Sequence, residues 1–247
     1  MKTLYDDIGI EYSVGRCTDP EIAQQLYSEL EGATRIVNIG AGTGSYEPAK
    51  FDLIALEPSA EMISQRTTGA HPVVQAGAEK IPFEQDSFSH AMTVLSMHHW
   101  RNRVVAFSEI NRVTTEKFVA ITWDPKAEPF WLTKEYFPQI YQNDLTIFPG
   151  LEEMSLHFDD VKMSPLLIPA NCQDGFLAAF WKRPYAYLES RVRQSMSPFS
   201  RIGDLTDGLR KLESDLASGK WKSNNHALLN AESLDVGYRL VTATIRK

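Results

Sequence analysis

Short apolar runs alternate with amphipathic stretches along the first half of the chain. Arg35-Ile36-Val37-Asn38-Ile39 has the pattern of a buried strand and stops abruptly at Gly40-Ala41-Gly42-Thr43-Gly44. Strand patterns recur at 51–56, 72–76, 89–95 and 118–123. Between them, Ser59 stands where it can cap a helix carrying Met62 and Ile63, and Val104, Val105, Phe107 and Ile110 have amphipathic-helix spacing over 103–112. Strands separated by helices need crossover connections. The pattern therefore predicts an α/β fold, with a doubly wound, mostly parallel sheet and helices on both faces.

Beyond Asp124 the periodicity changes. Aromatic residues and prolines crowd the stretch to about Asp235, with helix patterns at 174–182 and 202–218. Residues 161–168 read as a weak sixth strand, interrupted by Pro165. A β-branched run at 238–245 supplies a strand far from the others. The expected organisation is a seven-stranded core with a mainly helical cap inserted before its last strand. In residue terms, 1–123 form a ligand-binding core with an N-terminal helical lid element, 124–235 the cap, and 236–247 the final core strand.

Composition narrows the function. A length of 247 residues suits one α/β domain with an insertion, and 43% apolar content supports a packed core. A net charge of −7 without a basic run argues against a nucleic-acid partner. Cys17 and Cys172 lack metal-ligand spacing and read as reduced thiols. Asp159-Asp160 has no second carboxylate or histidine cluster to complete a metal site, so no metal is expected. Neither a signal peptide nor an apolar stretch of roughly 20 residues is present, so the expectation is a cytoplasmic protein with no membrane association. Oligomeric state has no signature in the pattern.

The glycine-rich turn carries the most chemistry. Such a turn after a strand lets the backbone approach a ligand at the carboxyl edge of a sheet. Glu57 ends the next strand, where a carboxylate can accept hydrogen bonds from a ribose diol. A dinucleotide fingerprint needs a third glycine at position 45, where Ser45 stands. The ligand is therefore read as a nucleoside, with a nicotinamide-dinucleotide oxidoreductase as the enzymatic alternative.

Residues 35–123 resemble the core of the class I S-adenosylmethionine-dependent methyltransferases, in their small-molecule branch. The resemblance rests on Asn38-Ile39-Gly40-Ala41-Gly42-Thr43-Gly44, on Leu56-Glu57-Pro58-Ser59 with Met62, and on Gly77-Ala78-Glu79-Lys80-Ile81-Pro82-Phe83. It continues through Met97-His98-His99-Trp100 and Ser108-Glu109-Ile110-Asn111-Arg112-Val113. It implies S-adenosylmethionine as cofactor and S-adenosylhomocysteine as product. Gly40, Ala41, Gly42, Thr43 and Gly44 would line the methionine and ribose, and Glu57 would hold the ribose hydroxyls. Pro58 and Met62 would pack on adenine, Ala78 and Glu79 would meet its edge, and Leu95 would complete the wall. Tyr12 and Arg16 resemble an N-terminal element that closes over the cofactor, with Arg16 on the methionine carboxylate. The family usually has an acid where Asn38 stands and often one where Gly77 stands. Its turn before the fifth strand is shortened here to Thr114-Thr115-Glu116-Lys117.

Methyl transfer from a sulfonium is an in-line displacement that depends mainly on proximity and alignment. His98 and His99, just beyond the fourth strand, are the candidates for a general base, with packing and cofactor lining as their alternative roles. Trp123, Trp131 and Trp181 are candidates for the wall of the acceptor pocket, and Arg183 for holding an anionic acceptor. Ser96-Met97-His98-His99 does not resemble the Asn/Asp-Pro-Pro-aromatic motif of enzymes that methylate base amino groups. A non-catalytic cofactor-binding module remains a further alternative.

Overall fold

The computed structural model describes residues 15–247. Among the described residues nine strands form: β1 (Ile36–Ile39), β2 (Leu53–Leu56), β3 (Val73–Val74), β4 (Phe88–Val94), β5 (Thr114–Trp123), β6 (Asp159–Pro165), β7 (Ile168–Pro169), β8 (Ser233–Leu234) and β9 (Tyr238–Thr244). Seven of them make one sheet in the order β3-β2-β1-β4-β5-β9-β6, and β7 and β8 make a small separate ladder. Neighbours from β3 through β5 pair in parallel, whereas β9 is antiparallel to both β5 and β6. Two reversals restore direction, so β6 runs with β1–β5 and β9 alone opposes them.

Alternation along each strand fills two cores. Ile36, Val119 and Ile121 join one cluster, whereas Val37, Phe118 and Ala120 join the other. The first face is covered by α1 (Pro20–Ser28), through Ile22 and Leu26. After α2 (Ala60–Ser64), the other face is covered by α3 (Arg103–Val113), through Ala106, Phe107 and Ile110. Asp19 caps α1, accepting hydrogen bonds from the N–H groups of Glu21 and Ile22, and Asn102 caps α3 through the N–H of Val105.

The cap comprises α4 (Trp131–Glu135), α5 (Pro138–Ile147), α6 (Leu151–Ser155), α7 (Ser190–Gln194), α8 (Ser197–Arg201), α9 (Thr206–Ala217) and α10 (Lys220–Asn224). Its own aromatic core includes Trp131, Tyr136, Phe137, Tyr187, Phe199 and Trp221.

The structure revises three sequence readings. Thr114–Lys117 are the first residues of β5, because α3 runs directly into that strand. Residues 174–182 form buried turns instead of a helix: Ala179, Trp181 and Arg183 each donate their N–H to the carbonyl three residues earlier. Gly175 fixes this geometry, since a Cβ there would lie 2.2 Å from the carbonyl oxygen of Gly15. Finally, β6 ends at Pro165 on the edge of the sheet, where a missing N–H costs no ladder bond.

Candidate active site

The strand order reverses between β1 and β4, and the carboxyl ends of β1, β2 and β4 open there onto a cavity of about 650 Å³. That is the place and size expected of a ligand crevice in an open α/β sheet. Its floor is the glycine turn after β1. Gly40 and Ala41 both donate their N–H to the Leu56 carbonyl at 2.9 Å, which ties the turn to the end of β2. Gly40 has φ +70°, and a Cβ on it would lie 1.8 Å from Ser96 Oγ, so only glycine fits between these two loops.

Glu57 lies across this turn. Its Oε2 accepts from the Gly42 N–H at 2.8 Å and its Oε1 from the Ser59 N–H at 2.9 Å, with the residue only 5% exposed. Each carboxylate oxygen can accept more than one hydrogen bond, so the anchored group can still serve a diol in the cavity. Ala41, Gly42, Thr43, Pro58, Met62, Ala78, Glu79 and Leu95 join it on the wall. Gly44 does not: it sits behind the turn, where a Cβ would meet the Arg66 guanidinium at 3.2 Å.

Both departures from the family pattern are met by neighbouring residues. Asn38 donates from Nδ2 to Glu47 at 3.1 Å, and the same carboxylate receives Arg66 at 2.6 Å. Because a carboxylate only accepts, the amide orientation is set. Asn38 Oδ1 is then buried without a hydrogen-bond partner among the described residues, on a side chain that lines the cavity. An ammonium donor would satisfy it. At Gly77 a Cβ would lie 3.2 Å from Glu79 Oε2, so the Glu79 carboxylate stands beside the position where an acid is missing. Its other oxygen accepts from the N–H groups of Arg101 and Asn102.

Arg16 also lines the cavity, and it is held from the cap. Asp174, fully buried, accepts from Arg16 Nε at 2.7 Å and Nη2 at 3.1 Å, and from the Tyr46 hydroxyl at 3.0 Å. It also accepts from the backbone N–H groups of Cys17 and Gly175. Burial and the nearby Asp174 carboxylate push the Tyr46 phenol upward, so it stays a donor. Tyr12 lies outside the described residues.

The two histidines do not suit the role of general base. His99 lines the cavity, and its Nδ1 accepts from Arg201 Nη2 at 3.1 Å. A guanidinium can only donate, so the imidazole proton resides on Nε2. Burial, followed by the Arg201 charge, drives His99 down to about 3. His98 stands behind it, with the His99 ring tilted against it at 3.9 Å and the Phe148 ring stacked on it at 4.2 Å. Burial and then the neighbouring His99 and Arg201 hold His98 well below its ordinary value, and its Nδ1 has no hydrogen-bond partner among the described residues.

The methyltransferase domain family matches over residues 37–118. A crystal structure from Anabaena variabilis, described as a methyltransferase from an antibiotic biosynthesis pathway, is 28% identical with a TM-score of 0.86. It covers 93% of this chain and 99% of that one. Residues 37–118 therefore carry a methyltransferase domain, and the fold is that of the class I S-adenosylmethionine-dependent methyltransferases. An uncharacterized protein of Methanocaldococcus jannaschii is 30% identical over 129 residues, and the match spans 49% of this chain and half of that protein. Two further solved structures share the fold. A Thermotoga maritima methyltransferase has a TM-score of 0.55 at 15% identity, covering 92% of this chain and 88% of that one. The Haemonchus contortus phosphoethanolamine N-methyltransferase 2 has a TM-score of 0.55 at 14% identity, covering 96% and 56%.

The cap of this chain uses its aromatic residues differently from what the sequence suggested. Of the four substrate candidates, Trp123 borders a small cavity beneath the cap, and the other three line neither that cavity nor the crevice. Trp131 donates its indole N–H to the Trp181 carbonyl and packs against Tyr187 and Trp221, so it belongs to the cap core. Trp181 is fully buried and donates to the Ile168 carbonyl at 2.9 Å. Arg183 stacks on Phe180 and donates from Nη2 to the carbonyls of Cys172 and Ala179, which braces the cap. Tyr46, Asp174 and Arg201 were not found from the sequence, because each acts through residues distant in sequence.

Proposed function

We propose that this methyltransferase carries a methyl group from S-adenosylmethionine to an O, N or S atom of a small molecule by in-line displacement. The observation that carries the reading is the Glu57 carboxylate, clamped by two backbone N–H groups across the glycine turn and facing a crevice of nucleoside size. When bound, the cofactor supplies its methyl group already activated as a sulfonium. The residues then have to hold and align. Glu57 takes the ribose hydroxyls, Met62 and Pro58 take adenine, and Asn38 Oδ1 takes the ammonium. Arg16, aimed by Asp174, takes the carboxylate.

With the proton of His99 on Nε2, the chemistry is best supported as positioning and exclusion of water rather than histidine base catalysis. The net charge of −7 supports a small acceptor over a nucleic acid. Calorimetric titration with S-adenosylhomocysteine and with NAD tests the proposal. Binding of the first is expected, and binding of NAD alone would overturn it.

Asp174 gives a second, sharper expectation. Asp174→Asn should weaken S-adenosylhomocysteine binding roughly tenfold, because Arg16 loses the partner that aims it. The affinity for 5′-methylthioadenosine, which lacks the amino-acid end, should stay the same. Equal losses for both ligands would mean that Asp174 serves only the fold.

A further inference from the structure

Position 38 carries an amide where the family pattern has an acid, yet an acid stands nine residues further along, at Glu47, in direct contact with that amide. Asn38 belongs to β1, is 2% exposed and lines the cofactor crevice. Glu47 and Arg66 lie behind it as a buried ion pair, with side chains 4% and 5% exposed, and neither lines the crevice. Arg66 follows α2 and is fixed at three points: it donates to Glu47 at 2.6 Å, to the Gly42 carbonyl at 3.3 Å and to the His71 carbonyl at 3.2 Å. A continuous relay, Arg66 to Glu47 to Asn38, thus runs beneath the glycine turn.

The direction of the relay decides what a ligand meets. A guanidinium only donates and a carboxylate only accepts, so Arg66 and Asn38 Nδ2 both give to Glu47. The orientation of an amide follows from such a network, since its two ends have the same shape. Asn38 Oδ1 is thereby left over, buried and without a hydrogen-bond partner among the described residues. An acceptor in that condition is costly until a donor reaches it. An amide in place of the Glu47 carboxylate would reverse the arrangement. Its oxygen would take Arg66, its nitrogen would face position 38, and Asn38 would turn over to offer Oδ1 to it. A donor, Nδ2, would then stand where the acceptor had been, and two donors repel.

We propose that Glu47 is a positioning residue: braced by Arg66 and acting through Asn38, it makes position 38 an acceptor for the ammonium of the cofactor's methionine moiety. The proposal rests on the methyl-transfer reading above. Glu47 itself touches no ligand. Its carboxylate sets the polarity of a pocket whose wall it does not join, and the acid missing from β1 acts at one remove from the loop that follows the glycine turn.

Calorimetry on the full chain tests this with three probes: S-adenosylhomocysteine, its desamino analogue and 5′-methylthioadenosine. Wild type should prefer S-adenosylhomocysteine to the desamino analogue by roughly tenfold or more, the scale of a hydrogen bond to a charged group. Glu47→Gln should abolish that preference and leave the affinity for 5′-methylthioadenosine unchanged. The exchange Asn38→Asp with Glu47→Gln should restore it, because the new amide serves Arg66 through its oxygen and the new carboxylate through its nitrogen. Proton exchange gives a readout that needs no cofactor. The Asn38 side-chain amide protons, identified by their absence from Asn38→Asp, should exchange slowly with solvent in wild type and quickly in Glu47→Gln. A preference kept by folded Glu47→Gln, equal losses for S-adenosylhomocysteine and 5′-methylthioadenosine, or an exchange variant that restores nothing would each overturn the inference. So would a wild type that binds S-adenosylhomocysteine and its desamino analogue equally, or whose Asn38 amide protons exchange quickly. These last two need only wild type and hold even if Glu47→Gln does not fold. Binding of neither S-adenosylhomocysteine nor 5′-methylthioadenosine would instead strike the methyl-transfer reading, and proton exchange would still score the relay.

Discussion

Glu57→Ala is expected to lose about 1–3 kcal/mol of S-adenosylhomocysteine affinity, a rise in Kd of roughly 5- to 150-fold. Two effects combine in that figure. The ribose diol loses its acceptor, and the N–H groups of Gly42 and Ser59 lose theirs, so the turn itself relaxes. Glu57→Gln separates them. It keeps the shape and one carbonyl oxygen but replaces the second acceptor with a donor, so it should fall between wild type and alanine. Calorimetry on variants with wild-type circular dichroism checks the series. A folded alanine variant with unchanged affinity would remove Glu57 from the ribose.

The second large effect concerns stability. Asp144 is raised from an ordinary value of 3.8 to about 7 in the fold, chiefly by burial. Between these values the folded chain holds a proton that the unfolded chain releases, so this group makes stability fall as pH rises. The full penalty above pH 7 is about 4 kcal/mol. His99 acts in the opposite direction. Its folded value near 3 means the unfolded chain takes up the extra proton below about 6.5, so its contribution is lost as pH falls. The two slopes largely offset each other in wild type across pH 4 to 6.5, with His98 adding to the acid-side loss. Asp144→Asn removes one of them. The variant should match wild type near pH 4 and exceed it at pH 8 by up to about 4 kcal/mol in urea unfolding. A difference that does not vary with pH would mean the carboxyl is not strained by burial.

The core of this fold was legible because strand grammar is local. Alternation sends Ile36 and Val37 to opposite faces, and a glycine turn followed by Glu57 at the next strand end places both at one crevice through parallel pairing alone. The cap was not legible in the same way. The apolar residues of 174–182 are as compatible with buried turns as with a helix, and the contacts of Gly175 with Gly15 decide between them. Asp174 lies 158 positions from Arg16, so no window of sequence joins them. For His98 and His99 the sequence left a base and a packing or lining role open, and the geometry favours the latter through Arg201, which is 102 positions from His99. The aromatic residues of the cap announced a second core, but not which ring would border a cavity.

The reversed strand also has a bearing on how the chain is made. β6 joins the sheet only through β9, which spans 238–244 and also covers the outer edge of β5. During synthesis the apolar flank of β5 therefore stays uncovered while the whole cap emerges from the ribosome, some seconds at ordinary elongation rates. An open edge of that kind invites pairing with a neighbouring nascent chain. Folding of the cap around its own aromatic core before β9 arrives would shield that edge.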